Sequence, residues 1–182
     1  MNTRPIVVGS HAFLYPEGRA FTSPAAGVCG RSAKPGAADT GWIDPGIVDS
    51  LKVAKSSDKR EIFAPTPGQR RLYDVIEVNR DLKFTLALKE AGPLMFEHLF
   101  GTLPLDATSG QYNPLEGATK RGWVKIQQYD HTDAIVNTVD VFCFMEIDGE
   151  VEFGEEAVSY DLVCRVLHSP LNTGTIIPNP AG

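Results

Sequence analysis

The chain has 182 residues, of which 42% are hydrophobic and 22% charged, and its formal net charge at pH 7 is -6. This length suits one domain with arms, and the hydrophobic content is typical of a globular chain. No apolar run approaches the roughly 18 residues of a membrane-spanning helix, and the apolar stretch near the start is too short for a signal peptide. The acidic balance argues against general adhesion to nucleic-acid backbones. We expect an acidic, soluble, intracellular domain.

Residues 1–41 are predicted to be a loop-rich N-terminal arm. Short strands are expected near residues 5–8 and over residues 11–15. From Thr22 to Gly41 the composition is mainly Gly, Ala, Ser, Pro and Lys, with little to bury. This segment is therefore predicted to be a long mobile loop or a partner-binding arm. Cys29 lies in it and is the one of the three cysteines that is expected to be exposed.

A β-rich domain is predicted for residues 42–167, beginning at Trp42. A half-buried strand is expected from Leu51 onward, interrupted by a polar break at residues 58–60, and residues 65–69 give a strong loop signal. Residues 71–88 are predicted to form one or two long strands. Over residues 82–88, apolar and polar side chains alternate with a period of two, as in a strand with one buried face.

One helix is predicted between Pro93 and Gly101, because proline suits the first helical position and glycine the C-terminal cap. Its apolar stripe is wide, so the helix is expected to lie flat against a sheet. A short amphipathic helix that binds a membrane or a partner is the alternative. The residues predicted to pack this helix are Leu94, Met95, Phe96, Leu99 and Phe100.

Three further strands are predicted after a loop over residues 102–121. The first covers residues 122–129, with Trp123, Lys125, Gln127 and Tyr129 on one face. After a turn at residues 130–133, the second covers 134–147, and its later half is apolar on both faces, as in a strand covered on both sides. A turn at residues 148–149 precedes the third strand, over 157–167. Residues 168–182 are predicted to be an unpatterned tail.

The residues that most often carry chemistry form no recognisable motif. Cys143 and Cys164 read as small buried hydrophobes in strands, with reactive thiols as the alternative. The four histidines lie far apart in sequence. His131, flanked by Asp130 and Asp133, is the most suggestive of them, but a solvated turn explains the same pattern. No metal, cofactor or enzymatic activity is predicted.

Charge is distributed unevenly along the chain. Residues 52–89 carry nine bases and five acids, whereas residues 126–164 carry ten acids and no Lys or Arg. Such a chain is able to self-associate, with its basic surface against the acidic surface of a neighbour. Alternatively, the acids only keep one sheet edge soluble and prevent edge pairing. The sequence alone favours neither interpretation.

The order of these segments resembles the bacteriophage tail tube (major tail) proteins. The resemblance rests on the W-x-x-x-G-x-V pattern from Trp42 to Val48, the long strands ending at Phe84–Glu90, the helix closing near Gly101, and the 122–126 strand with the acidic hairpin after it. It covers about residues 41–167. It implies a β-sandwich or barrel-like two-sheet domain flanked by one α-helix, with long loops and terminal arms.

The resemblance also implies how the chain works. Hexameric rings stack into the tube through which DNA is ejected, so the subunit is a structural virion protein, assembled in the host cytoplasm. Its partners are copies of itself and the tape measure, tip and terminator proteins, with no membrane and no specific DNA binding. The residues matching the ring-stacking loop lie within 57–71 and include Arg60, Pro65, Pro67, Gly68, Arg70 and Arg71.

An acidic lumen is expected around passing DNA, because negative charge repels phosphates whereas Lys and Arg bind them. The candidate lumen-lining acids are Asp140, Glu146, Asp148, Glu150 and Glu152. Competing interpretations are a tail terminator, a capsid decoration protein, the tube protein of a contractile injection or secretion system, and a small-molecule-binding barrel or hydrolase.

Overall fold

The computed structural model is mainly β, with seven antiparallel strands and no helix in the part of the chain that it describes. The strands are β1 (Gly9–Pro16), β2 (Val48–Thr66), β3 (Gln69–Leu88), β4 (Arg121–Tyr129), β5 (Ile135–Asp148), β6 (Tyr160–Val166) and β7 (Thr173–Ile176). The structure describes residues 7–22, 26–66, 68–89, 120–149, 151 and 159–176. The predicted helix and its packing residues Leu94, Met95, Phe96, Leu99 and Phe100 lie outside these ranges.

The strands form one hydrogen-bonded sheet in the order β1-β4-β5-β6-β3-β2, and β7 pairs with β5 beside β6. β3 pairs with both β2 and β6, which joins the early strands to the later ones. The described strands therefore do not divide into the two sheets that were expected. β1 and β2 stand at opposite ends of the order but contact each other, so the sheet curls into a barrel-like shape.

The main core lies on the concave face of this sheet. Alternate residues of β3, namely Phe84, Leu86 and Leu88, are buried there, as their period of two predicts. The same core takes residues from β1, β4, β5 and β6, including Leu14, Val124, Cys143 and Leu162. The clean alternation of β3 was thus a reliable signal, because one of its faces is buried and the other is not.

The opposite face of β1, β4 and β5 is covered by residues 17–22 and 26–45, here called the strap. Tyr15, Trp123, Phe142 and the strap residue Cys29 form a second buried cluster between strap and sheet. The strap therefore covers the outer face of β5 at Phe142, but farther along that face the side chains of Glu146 and Asp148 are 36% and 67% exposed, so the prediction of cover on both faces holds only for the start of the later half. The described residues of the 22–41 segment are packed on the sheet instead of forming a mobile loop or free arm, and the expectation that Cys29 is exposed is wrong, since Cys29 is 2% exposed.

The strap has little regular structure, and side chains of the sheet satisfy several of its backbone carbonyls. Trp123 Nε1 donates to the carbonyl of Gly30 at 2.9 Å, and Lys125 Nζ donates to that of Ala37 at 3.2 Å. Ser169 Oγ donates to the carbonyl of Arg31 at 2.7 Å. These bonds allow an irregular segment to lie against a buried surface without leaving its polar groups unpaired.

Three local predictions change in the folded chain. The polar residues 58–60 do not break β2, because they pair with Asn79, Glu77 and Ile76 of β3. The expected loop at residues 65–69 is a tight turn at which Gly68 adopts a φ of 87°. The tail beginning at residue 168 contains β7, which pairs with residues 137–140 of β5.

Candidate assembly surface

The most exposed described part of the molecule is the hairpin formed by residues 55–82 of β2 and β3. β6 pairs with β3 only from Lys83 to Leu88, so residues 55–66 and 69–82 pair only with each other in the described chain. At about 3.3 Å per residue, the paired strands extend roughly 35–40 Å. The fold thus presents a long two-stranded ribbon, both edges of which are open within the described residues.

The hairpin exposes apolar side chains. Phe63 is 47% exposed and lies directly opposite Leu72, which is 54% exposed, so the two form a cross-strand pair in solvent. Tyr73, at a register shift beside them, is 77% exposed. The exposed large apolar residues of the ribbon are Ile62, Phe63, Leu72, Tyr73, Val75, Ile76 and Val78.

The charges of the hairpin nearly balance. Arg80 Nε donates to Glu77 Oε2 at 2.6 Å, and Asn79 Nδ2 donates to Asp58 Oδ2 at 3.1 Å. The guanidinium of Arg80 lowers the pKa of Glu77 below its ordinary value through this hydrogen bond and its charge. The basic excess seen in the 52–89 stretch is therefore weak within the ribbon, and its distinctive property is exposed apolar surface.

The predicted ring-stacking residues all belong to this hairpin or to its turn. Arg60 is exposed on β2 opposite Ile76, Gly68 lies in the turn, and Arg70 is exposed on β3. Pro65 and Arg71 stand in the strands, but their side chains lie outside the described part, as does Pro67 entirely. The described residues of this segment form a paired two-stranded ribbon with two register shifts, instead of the loop that its prolines suggested.

The described acids of the predicted lumen set each pair with a base from another segment. Asp140 Oδ2 lies 2.5 Å from Lys34 Nζ of the strap, and the Asp140 side chain is 14% exposed. Glu146 Oε1 lies 3.1 Å from Arg165 Nε, and Asp148 Oδ2 lies 3.8 Å from Lys83 Nζ. Glu150 and Glu152 lie outside the described residues. The fold thus pairs some acids of residues 126–164 with bases from elsewhere in the same chain, which reduces the separation of charge seen in the sequence.

The segment around His131 is a turn that its own carboxylate stabilises. Asp130 Oδ1 accepts hydrogen bonds from the Thr132 hydroxyl and from the backbone N–H groups of Thr132 and Ala134, which lowers the pKa of Asp130. His131 and His11, which are distant in sequence, line one open groove of about 620 Å³ with Asp130 and Asp133. The described residues contain no group of three or more side chains arranged to hold a metal ion.

The three cysteines are free and buried. Burial raises the pKa of the Cys29 and Cys164 thiols to about 12 and that of Cys143 well above its ordinary value. The reading of Cys143 and Cys164 as small core residues is confirmed by their place in the main core cluster. In the described part of the chain, no helix is long and apolar enough to cross a membrane.

No protein-family model and no curated protein matches the chain. Among solved structures, it is similar to a chain of the anti-feeding prophage (AFP) baseplate, determined by cryo-EM and 6-fold symmetrised. The two chains share 10% sequence identity with a TM-score of 0.41, over 96% of this chain and 97% of that chain.

Proposed function

We propose that the chain is a structural subunit that polymerises as stacked, hexameric rings to form a bacteriophage tail tube, the conduit for DNA ejection. The observation that carries the proposal is the hairpin of residues 55–82, with its exposed apolar side chains and open edges. No catalytic step is assigned to the protein. Its partners are other copies of itself and the tape measure, tip and terminator proteins of the tail, within a virion assembled in the host cytoplasm.

The hairpin supports self-assembly because it is poorly stabilised by its own chain. A two-stranded ribbon in water is marginally stable unless a third strand or another surface packs on it. Exposed apolar patches and open strand edges invite pairing, and soluble monomers usually avoid both. In a ring and in a stack of rings, neighbouring copies cover both features.

The lumen assignment is part of the same proposal. Asp148 is the most exposed of the three described acids, with a side chain 67% accessible, and it lies directly opposite Asp161 on β6. Together with Glu150 and Glu152 it would place negative charge at the end of β5, where it would repel DNA phosphates. Asp140, held under the strap by Lys34, is less suited to that role.

Shortening the hairpin tests the proposal. Lys59 and Glu77 lie directly opposite each other, so an Asn-Gly turn between them replaces residues 60–76 without a change of register. The removed residues contribute nothing to either buried cluster, so the variant should fold with an unchanged midpoint of urea unfolding. Negative-stain electron microscopy at high protein concentration should show tubes for the wild-type protein and only monomers or isolated rings for the variant.

A matched control keeps the whole hairpin and changes one charge outside it, for example Lys52→Gln, exposed on β2 before the hairpin, which should leave tubes intact. Tubes of normal length from the shortened protein would exclude a stacking role for the hairpin. A wild-type protein that stays monomeric at all concentrations would contradict the tube function itself. A protein that only caps or coats preformed tails would instead support the terminator or decoration alternatives. Tubes that assemble inside a contractile sheath would support an injection or secretion system.

A further inference from the structure

The C-terminal strand β7 occupies a sheet edge to which it adds almost no packing. The edge of β5 that faces away from β4 is shared by β6, which pairs with residues 143–148, and β7, which pairs with residues 137–140. β6 places Tyr160, Leu162 and Cys164 in the core, whereas β7 contributes no residue to either buried cluster. β7 can therefore leave the edge without opening the core.

The attachment of β7 is slight. All four of its residues are exposed, and Ile176 is 77% exposed. The turn before it is fixed more firmly, because the N–H of Phe142 donates to Asn172 Oδ1 at 2.8 Å and Ser169 bonds to the strap. Any detachment should therefore begin at β7 itself and stop at Asn172, since exposed segments with few buried contacts open most readily.

Lys34 of the strap contacts both β7 and β5. Lys34 Nζ donates to the Thr173 hydroxyl of β7 at 2.9 Å and lies 2.5 Å from Asp140 Oδ2 of β5. The same ammonium group lies 5.7 Å from the ring centroid of Trp123. The Lys34 side chain is 23% exposed, so this three-way contact is partly shielded from water.

We propose that β7 is an autoinhibitory strand, which covers the 137–140 edge of β5 in the free subunit and is displaced by a hairpin strand of a second copy during assembly. This inference rests on the proposed function. The occupant is a hairpin strand because residues 55–66 and 69–82 offer unpaired backbone edges in the described chain. Once vacated, the β5 edge presents the matching unpaired N–H and C=O groups of a well-packed sheet.

A reversible disulfide tests the displacement. Asn137 and Ile176 lie directly opposite each other, so the Asn137→Cys/Ile176→Cys variant should lock β7 in place when oxidised. The three native thiols are buried and should not compete. Light scattering measures the rate of assembly. We expect the oxidised protein to assemble at least about tenfold more slowly than the same protein after reduction. The matched control, His11→Cys/Gln127→Cys, locks β1 to β4 and should assemble equally in both states.

Removing the contacts of Lys34 should have the opposite effect on the rate of assembly. Lys34→Ala should speed amide hydrogen exchange in β7 but not in β6, and should shorten the lag before assembly, whereas Lys34→Arg should behave like the wild-type protein. Equal assembly of the oxidised and reduced lock, or an unchanged or longer lag for Lys34→Ala, would overturn the displacement and leave the proposed function standing. A wild-type protein that never assembles would instead remove the proposed function, and this inference with it.

Discussion

The ammonium nitrogen of Lys125 lies 4.0 Å from the ring centroid of Trp42, and this contact joins the sheet to the strap. Lys125 stands on β4 and is 6% exposed, while Trp42 also donates from Nε1 to the carbonyl of Gly36 at 2.9 Å. Burial lowers the pKa of Lys125, nearby Asp140 acts in the opposite direction, and Lys125 Nζ also donates to the Ala37 carbonyl.

A double-mutant cycle should measure this contact directly. We expect Lys125→Met and Trp42→Leu each to destabilise the fold, with a coupling free energy of about 1–2 kcal/mol, as for a desolvated cation over an aromatic ring. Urea unfolding of the four proteins at pH 7 gives the value. A coupling near zero would mean that the contact between Lys125 and Trp42 does not stabilise the packing of the strap on the sheet.

Gly122 on β4 should not tolerate a side chain. A Cβ atom built there meets the backbone carbonyl oxygen of Tyr15 and, at 3.0 Å, the Cα of Pro16. Because backbone atoms of β1 cannot move aside without breaking the β1–β4 ladder, Gly122→Ala should lower the free energy of unfolding by about 2–3 kcal/mol. Gly9→Ala on β1, where an added Cβ meets nothing within 4 Å, is the control and should change the midpoint little.

The buried thiol of Cys29 should make stability depend on alkaline pH. Its pKa is about 12 in the folded chain against an ordinary value of 9.0, so the unfolded chain loses the thiol proton first. The protonated Cys29 thiol therefore makes its full contribution to the free energy of unfolding below pH 9.0. This contribution is lost at about 1.4 kcal/mol per pH unit as the pH rises towards 12. Urea unfolding between pH 8 and 10.5 should show a shallower decline for Cys29→Ala than for the wild-type protein. Parallel declines would show that Cys29 ionises alike in both states.

Substitution of the predicted lumen acids by lysine should affect stability strongly at one position and little at another. Asp140→Lys removes the partner of Lys34 beside Lys125 in a mostly buried place, so it should cost about 3–5 kcal/mol. Asp148→Lys should change stability by less than about 1 kcal/mol, because its pair with Lys83 is exposed and it faces Asp161. Thermal unfolding distinguishes the two.

The lumen hypothesis is tested with the triple variant Asp148→Lys/Glu150→Lys/Glu152→Lys, whose fold is first checked by thermal unfolding. In phage assembled with this variant, we expect slower DNA ejection with tubes of normal length. Ejection at the wild-type rate would show that these acids do not face the DNA.

Local pattern predicted the strands whose environment is simple. Phe84, Leu86 and Leu88 alternate because one face of β3 is buried, and residues 141–145 of β5 are apolar on both faces because the core covers one face and the strap covers Phe142 on the other. The period-two pattern did not predict that residues 58–60 continue β2. Both faces of the ribbon are exposed there, so polar residues occur without alternation and their sequence resembles a loop.

Composition and local sequence pattern by themselves predicted an acidic, β-rich chain with buried cysteines in its later strands. Only the tertiary structure decided that the Gly- and Ala-rich segment around Cys29 is a packed strap, because Trp123, Lys125 and Ser169, about 90 to 140 residues away, satisfy its backbone carbonyls. It also paired Asp140, Glu146 and Asp148 with bases from other segments. Hydrogen bonds and ion pairs between distant segments leave no periodic trace in a sequence, whereas burial of one strand face does.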